Sequence, residues 1–192
     1  MVSGVLESHP QITKFLRAHL VDWLMHVCHV LPKDDQTLPF VAINMMDRYF
    51  RHTPKANSET PQVQLTGLTG LFMVSKYFEI QPIFLDQLVN EMAYKKYNAK
   101  QFLEKETELM SLLACDIDPP NHFDFTLLYF KYIKMQIHGF KGAVSRSCLT
   151  FIEQYEVLAT DFCRMVLTDI EMVAMRPSIL GAAAIHFGLE SA

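Results

Sequence analysis

Apolar residues recur every three or four positions along most of this chain, the spacing of one face of an α-helix, and strand-like alternation is nearly absent. A first helix is predicted from about Thr13 to Val30, with Ile12, Leu16, Leu20, Trp23, Val27 and Val30 as its buried stripe; Pro32 and the Lys33-Asp34-Asp35 turn end it. A second starts near Thr37 and reaches about Arg51, with Pro39 in the first turn, where its missing N–H would have no partner anyway. After a polar loop, Thr60 as N-cap and Pro61 as first helical residue open a third helix that runs to about Glu79. Gly67 and Gly70 lie inside it, each at a propensity cost of roughly 1 kcal/mol. Two glycines in an otherwise good helix imply that another helix crosses closely there, which makes this the central helix of a bundle. A short fourth helix follows Pro82, and Asn98-Ala99-Lys100-Gln101, close to a capping box, opens a fifth that reaches about Ala114.

Pro119-Pro120 is the strongest interruption in the chain. Beyond it Asn121 caps a helix to about Ile137, Gly139 and Gly142 break it, and a long helix covers about Ala143 to Leu167. Pro177-Ser178 starts a last helix, Ile179 to about Leu189, rich in small residues at Gly181-Ala182-Ala183-Ala184. It resembles the third helix at an offset of about a hundred residues, far longer than a solenoid period. The expected architecture is therefore all-α: two tandem helical repeats, 12–118 and 119–192, the second incomplete with about three helices against about five.

Charges inside apolar stripes change this picture most. Arg17 lies among Leu16, Leu20, Trp23, Leu24 and Val27, and Asp47 among Ile43, Met46, Tyr49 and Phe50. A buried charge is costly unless another meets it with good geometry, so the two are expected to clamp two helices together. Arginine suits the task because its planar fork bonds a carboxylate through two N–H groups. Glu106 stands in the stripe Phe102, Glu106, Leu109, Met110 and Leu113, and Lys76 ends the run Leu68, Leu71, Phe72, Met73, Val74. Periodicity leaves two readings of these last two. They either sit at the rim of the core with Lys76 snorkelling, or edge a groove that bonds a partner's backbone. Glu104, Lys105 and Glu108 fall off this face and are expected to be solvated.

The composition, 50% hydrophobic and 20% charged, supports a real core, and the net charge of −4 disfavours a nucleic-acid binder. Cys28, Cys115, Cys148 and Cys163 form no CxxC pair and are expected to be buried thiols in a reducing compartment. Neither a signal peptide nor an apolar run long enough to span a membrane is evident, so a soluble intracellular chain is expected. His19, His26 and His29 beside Cys28 match no common zinc spacing, and no P-loop, HExxH or GxSxG motif is present, so neither a metal, a cofactor nor catalysis is expected. Arg17-Ala18-His19-Leu20 looks like a degradation signal, but in a packed helix it is a chance match.

In order along the chain, these residues resemble the cyclin box of the cyclin family. Leu16 to Leu24 is similar to the first-helix signature Met-Arg-Ala-Ile-Leu-Val-Asp-Trp-Leu, and Asp47-Arg48-Tyr49-Phe50 to that of the second helix. Val63-Gln64-Leu65 with Ser75-Lys76-Tyr77 resembles the third, and Tyr97 to Glu106 the entry to the fifth. Asp169 to Val173 with Pro177-Ser178 is similar to the second repeat of mitotic B-type cyclins. The resemblance implies a non-catalytic regulatory subunit that binds a cyclin-dependent serine/threonine kinase, docks on its αC helix and favours the active conformation. It implies that Arg17 and Asp47 are the internal clamp, with Leu65 in the core. Lys76 and Glu106 would then bond the kinase backbone, and Tyr77, Met110 and Ile117 would supply apolar contact. A nuclear and cytoplasmic location follows from the same likeness.

The family also docks substrate motifs of the Arg-x-Leu kind on a shallow patch, which Leu16, Leu20, Trp23 and Gln64 match. Here His19 replaces an apolar residue and His26 the acid that would receive the arginine, which argues against ordinary docking. Phe78 and Gln81-Pro82-Ile83 are further departures, placing the chain as a divergent member. Rival readings are a transcription factor similar to the TFIIB core, which would bind DNA, and a cyclin-fold scaffold that binds no kinase.

Overall fold

The computed structural model describes residues 9, 11–30, 36–53, 62–138 and 143–190; the Lys33-Asp34-Asp35 turn, the Thr60-Pro61 start and the Gly139 and Gly142 break lie outside them. All regular structure among the described residues is helical. Contacts divide the chain into two units, 1–119 and 120–192.

The first unit holds α1 (Lys14–Val30), α2 (Leu38–His52), α3 (Val63–Phe78), the single turn α4 (Leu85–Gln87), which passes into a π-helical turn over Leu88–Met92, and α5 (Ala99–Leu112). α3 is central: it packs against α1, α2, α5 and the π turn, and all its residues from Leu65 to Ser75 are buried. Its glycines show how. A Cβ on Gly67 would lie 2.9 Å from Leu24 Cδ1 of α1, and one on Gly70 would lie 3.3 Å from the Ala42 carbonyl of α2. One face therefore meets two crossing helices, α1 through the movable end of Leu24 at Gly67 and α2 through its backbone at Gly70. α2 is buried to a similar extent, from Leu38 to Ile43 and again at Met45, Met46, Asp47, Tyr49 and Phe50.

α1 departs from expectation. The residues it buries are Arg17, Leu20, Val21 and Leu24, whereas Leu16 is 42% exposed and Trp23 and Val27 are half-buried. The inward face is thus turned toward Arg17, and the row read as a core stripe is partly surface. The apolar residues at 16 and 23 misled because a stripe shows where apolar residues lie, and part of this one lines a groove.

α5 opens as its sequence requires. The Gln101 N–H donates to Asn98 Oδ1 at 3.0 Å, and the Asn98 N–H donates back to Gln101 Oε1 at 2.9 Å. It ends on two left-handed residues, Ala114 (φ 51°) and Cys115 (φ 61°), after which Arg48 of α2 ties down Asp116 by bonds to its carbonyl (2.7 Å) and carboxylate (2.6 Å).

The second unit contains α6 (His122–His138), α7 (Ala143–Thr168), the one-turn α8 (Ile170–Val173) and α9 (Pro177–Glu190). Asn121 caps α6 through its side-chain oxygen, 2.9 Å from the Phe123 N–H, while Asp124 accepts the Asn121 N–H at 2.8 Å. α9 packs on both α6 and α7. Its glycines repeat the logic of α3: a Cβ on Gly181 would lie 2.8 Å from Phe125 Cβ of α6, and one on Gly188 would lie 2.8 Å from the Tyr155 carbonyl of α7. The buried pair His122 and Cys163 ties α6 to α7, with His122 Nε2 3.1 Å from the Cys163 carbonyl.

Candidate functional site

Arg17 and Asp47 meet in the core of the first unit. Arg17 Nε donates to Asp47 Oδ1 at 2.9 Å and Nη2 to Oδ2 at 2.6 Å, with the residues 1% and 2% exposed. This two-pronged bond joins α1 to α2 and lets both charges survive burial. Leu65 is buried on α3, 1% exposed, and has almost no surface to offer a partner.

Lys76 and Glu106 are brought together at the surface. Lys76 lies in the last turn of α3, Glu106 lies midway along α5, and the two helices pack, so the ammonium bonds Glu106 Oε1 directly. The ammonium also sits 4.1 Å above the Phe72 ring, a cation–π contact that fixes it further. The side chains are 38% and 21% exposed, neither buried nor free in water. The sequence left a choice between a rim position and a groove position, and it did not indicate that these two charges pair with each other. Lys76 has two more N–H donors and Glu106 a second oxygen.

Tyr77, next to Lys76, is 62% exposed, with its ring edge-on to Phe78. Met110, one turn beyond Glu106, and Ile117 are half-buried. Ile117 follows the segment that Arg48 anchors through Asp116. Leu103, one turn before Glu106 on α5, is exposed, and so are Ile80 and Phe84 in the turn after α3. Helical phase does not single out these three, although apolar residues outside every stripe were the available signal. That turn is pinned from within, since the Ile83 N–H donates to Ser75 Oγ at 3.1 Å.

Lys105 and Glu108 are not the solvated charges that helical phase predicts. Lys105 Nζ donates to Glu108 Oε2 at 2.5 Å and to the Tyr49 hydroxyl at 3.0 Å, and that hydroxyl donates to Glu108 Oε1 at 2.5 Å. Burial and the bond to Glu108 raise the Tyr49 pKa above its ordinary value. Burial opposes the charge on both partners, but their mutual bonds prevail, raising Lys105 and lowering Glu108. The cluster joins α2 to α5. Helical phase missed it because a long lysine reaches around its helix to a partner on another element. Glu104 does remain solvated, 3.7 Å from Lys100.

Of the four cysteines, none is in a disulfide; Cys163 is buried, Cys28 and Cys148 are half-buried, and Cys115 is exposed, contrary to the expectation of four buried thiols. Burial pushes the Cys28 thiol up to about 12 and that of Cys163 to about 11. Among the described residues no three His, Cys, Asp or Glu side chains gather as metal ligands, and no helix is long and apolar enough to cross a membrane.

Leu16, Leu20, Trp23 and Gln64 line one open groove of about 500 Å³, together with His19, Lys96 and Tyr97; His26 is exposed on α1 but is not part of the lining.

Residues 2–118 match the family model described as "Cyclin, N-terminal domain". The chain belongs to the cyclin family. Among its relatives, Cyclin-B2-1 of Oryza sativa subsp. japonica is 27% identical over 183 residues, covering 94% of this chain and 38% of the relative. Cyclin-B1-1 of Arabidopsis thaliana is 29% identical over 181 residues, 94% of this chain and 38% of that one. Cyclin-A2 of Gallus gallus is 27% identical over 183 residues, 95% and 41%. This cyclin chain thus resembles the mitotic A and B types and spans about two fifths of the length of the curated relatives it matches. A solved structure, a viral cyclin from herpesvirus saimiri, superposes with a TM-score of 0.76 at 14% identity, covering 98% of this chain and 75% of that one. The fold is therefore the cyclin fold, all-helical among the described residues.

Proposed function

We propose that this chain is the non-catalytic regulatory part of a heterodimer with a cyclin-dependent serine/threonine kinase, working in the cell cycle in nucleus and cytoplasm. The observation that carries the reading is the Lys76–Glu106 pair, set on two packed helices at the surface and flanked by exposed Tyr77 and half-buried Met110. Such a pair can bond both a carbonyl and an N–H of a partner's backbone, which suits the end of a helix, where such groups lack internal partners. The apolar side chains around it, with Ile117, add the burial that gives a polar pair affinity. Binding the active arrangement of the kinase more tightly than the inactive one is then sufficient for activation, and this chain performs no chemistry itself.

The test is coprecipitation with a panel of cyclin-dependent kinases, followed by two variants against the kinase that binds. Glu106→Ala removes charge-assisted bonds worth roughly 1.5–3 kcal/mol, so affinity falls about 10- to 100-fold while helicity is kept. The exchange Lys76→Glu with Glu106→Lys keeps the internal ion pair but reverses what a partner meets, and binding is expected to be lost although the fold melts normally. Full binding by both variants, or capture of no kinase by the parent, refutes the assignment.

A further inference from the structure

The groove beside α1 has a chemical character of its own. Its apolar floor is made by Leu16, Leu20, Trp23 and Val63, which α1 and the start of α3 hold in place. Leu20 and Val63 are nearly fully covered, so the floor is fixed by the core beneath it. Around the floor stand three amides, Gln11, Gln62 and Gln64. A primary amide both donates and accepts, so it matches the alternating N–H and C=O groups of an extended peptide backbone.

The charge on the lining has one sign. Lys96 is its one permanently charged residue, and His19 the one other group that can become positive; no carboxylate is present. Lys96 is held in place: its Nζ donates to Gln64 Oε1 at 2.7 Å and lies 5.4 Å from the centre of the Tyr97 ring. Lys95 beside it is exposed as well, on a turn where Tyr94 (φ 48°) and Lys95 (φ 59°) are both left-handed. His19 is braced by the Phe15 ring, edge-on with ring centres 4.1 Å apart. Asp22, on the same helix, is exposed and lies outside the lining. A chain of net charge −4 thus presents, at this one groove, a positive edge over an apolar floor.

From this we infer that the groove docks an extended segment of another protein that carries aliphatic side chains flanked by aspartate or glutamate, with Lys96 the residue that selects the acid. The preference is opposite in sign to that for the arginine-bearing motifs docked elsewhere in the family. A basic flank would meet Lys96 with no carboxylate in the lining to offset the repulsion, whereas an acidic flank gains an ion pair beside apolar surface that excludes water. The inference requires nothing of the kinase reading, since the groove, its floor and its charge lie within this chain alone.

Trp23 is the only tryptophan in the chain and lines the groove, so its emission reports occupancy without a label. The probes are synthetic peptides with a Leu-Ser-Leu centre flanked on both sides by aspartates, by serines or by arginines. At low salt the aspartate peptide is expected to bind about tenfold more tightly than the arginine peptide, and salt to narrow the difference. Lys96→Glu is expected to reverse the order and Lys96→Gln to abolish it, with melting curves showing that each variant is folded. The inference is overturned if the arginine peptide binds as well as the aspartate peptide, if no peptide perturbs Trp23, or if Lys96→Glu leaves the order unchanged. It is equally overturned if sedimentation shows that a second copy of the chain covers the groove.

Discussion

Removing Asp47 tests the central structural claim most severely. In Asp47→Ala the Arg17 guanidinium, on a residue 1% exposed in the parent, loses the carboxylate that accepts its bonds of 2.9 and 2.6 Å. Breaking one side of a buried pair costs about 3–5 kcal/mol, a large share of the roughly 5–15 kcal/mol that holds a domain together. For a unit of this size, each kcal/mol moves the midpoint by about 4 °C, so the variant should melt roughly 10–20 °C lower. Trp23 lies on α1, the helix that carries Arg17, and its emission during heating follows the first unit selectively. The double variant Arg17→Met, Asp47→Leu separates loss of the pair from loss of the site. Two apolar residues need no partner, so most of the stability should return, with a coupling of about 2 kcal/mol or more between the two positions. A midpoint for Asp47→Ala within about 2 °C of the parent would refute the reasoning, because a charge sealed in the core cannot lose its partner so cheaply.

Other outcomes follow from the packing of the glycines and from a buried histidine. Gly181→Ala would push a Cβ to 2.8 Å from Phe125 Cβ and 3.0 Å from the Thr126 nitrogen, so urea unfolding should show a loss of about 2–3 kcal/mol. Gly67→Ala meets only the movable end of Leu24, and its helix-propensity gain of about 1 kcal/mol should leave it near neutral. Equal losses at the two sites would show that crossing distance does not decide the matter. Burial holds the His122 pKa below its ordinary value, although the bond to the Cys163 carbonyl raises it in part. The folded state therefore favours neutral imidazole. Its contribution is present above the unfolded value of about 6.5 and is lost as pH falls through and below it. The unfolding free energy should drop between pH 7.5 and 5, and less so in His122→Gln; identical pH profiles would exclude His122 as the cause.

What could be read from the sequence was what local rules govern. The Asn98 box, the Asn121 cap and the glycines of α3 and α9 announce themselves because a helix end or a close crossing needs a particular residue type. A charge in an apolar stripe is legible for the same reason, and Arg17 and Asp47 meet across two helices 30 residues apart. Periodicity alone assigns Leu16 and Trp23 to the core, because it does not distinguish a face that is covered by core from one that lines a groove; their likeness to the family's docking patch is what points to the groove. The Tyr49, Lys105 and Glu108 cluster, and the pairing of Lys76 with Glu106, stayed hidden because both depend on how far long side chains reach between helices. The left-handed residues Ala114 and Cys115 gave no warning, since neither is the glycine that such backbone favours.

The bond between Lys76 and Glu106 has a cost for whatever binds there. Each already bonds the other, so a partner that claims the atoms of that bond must displace an internal competitor, whereas one that uses the remaining N–H groups of Lys76 and the second oxygen of Glu106 need not. Contacts that break the bond therefore return less net affinity than their geometry alone would suggest. They also respond weakly to added salt, since ions loosen the bond being broken as well as the bonds being made. A surface arranged in this way is discriminating: a single stray charge gains little by breaking the pair, and only a ligand that satisfies both residues at once can replace it.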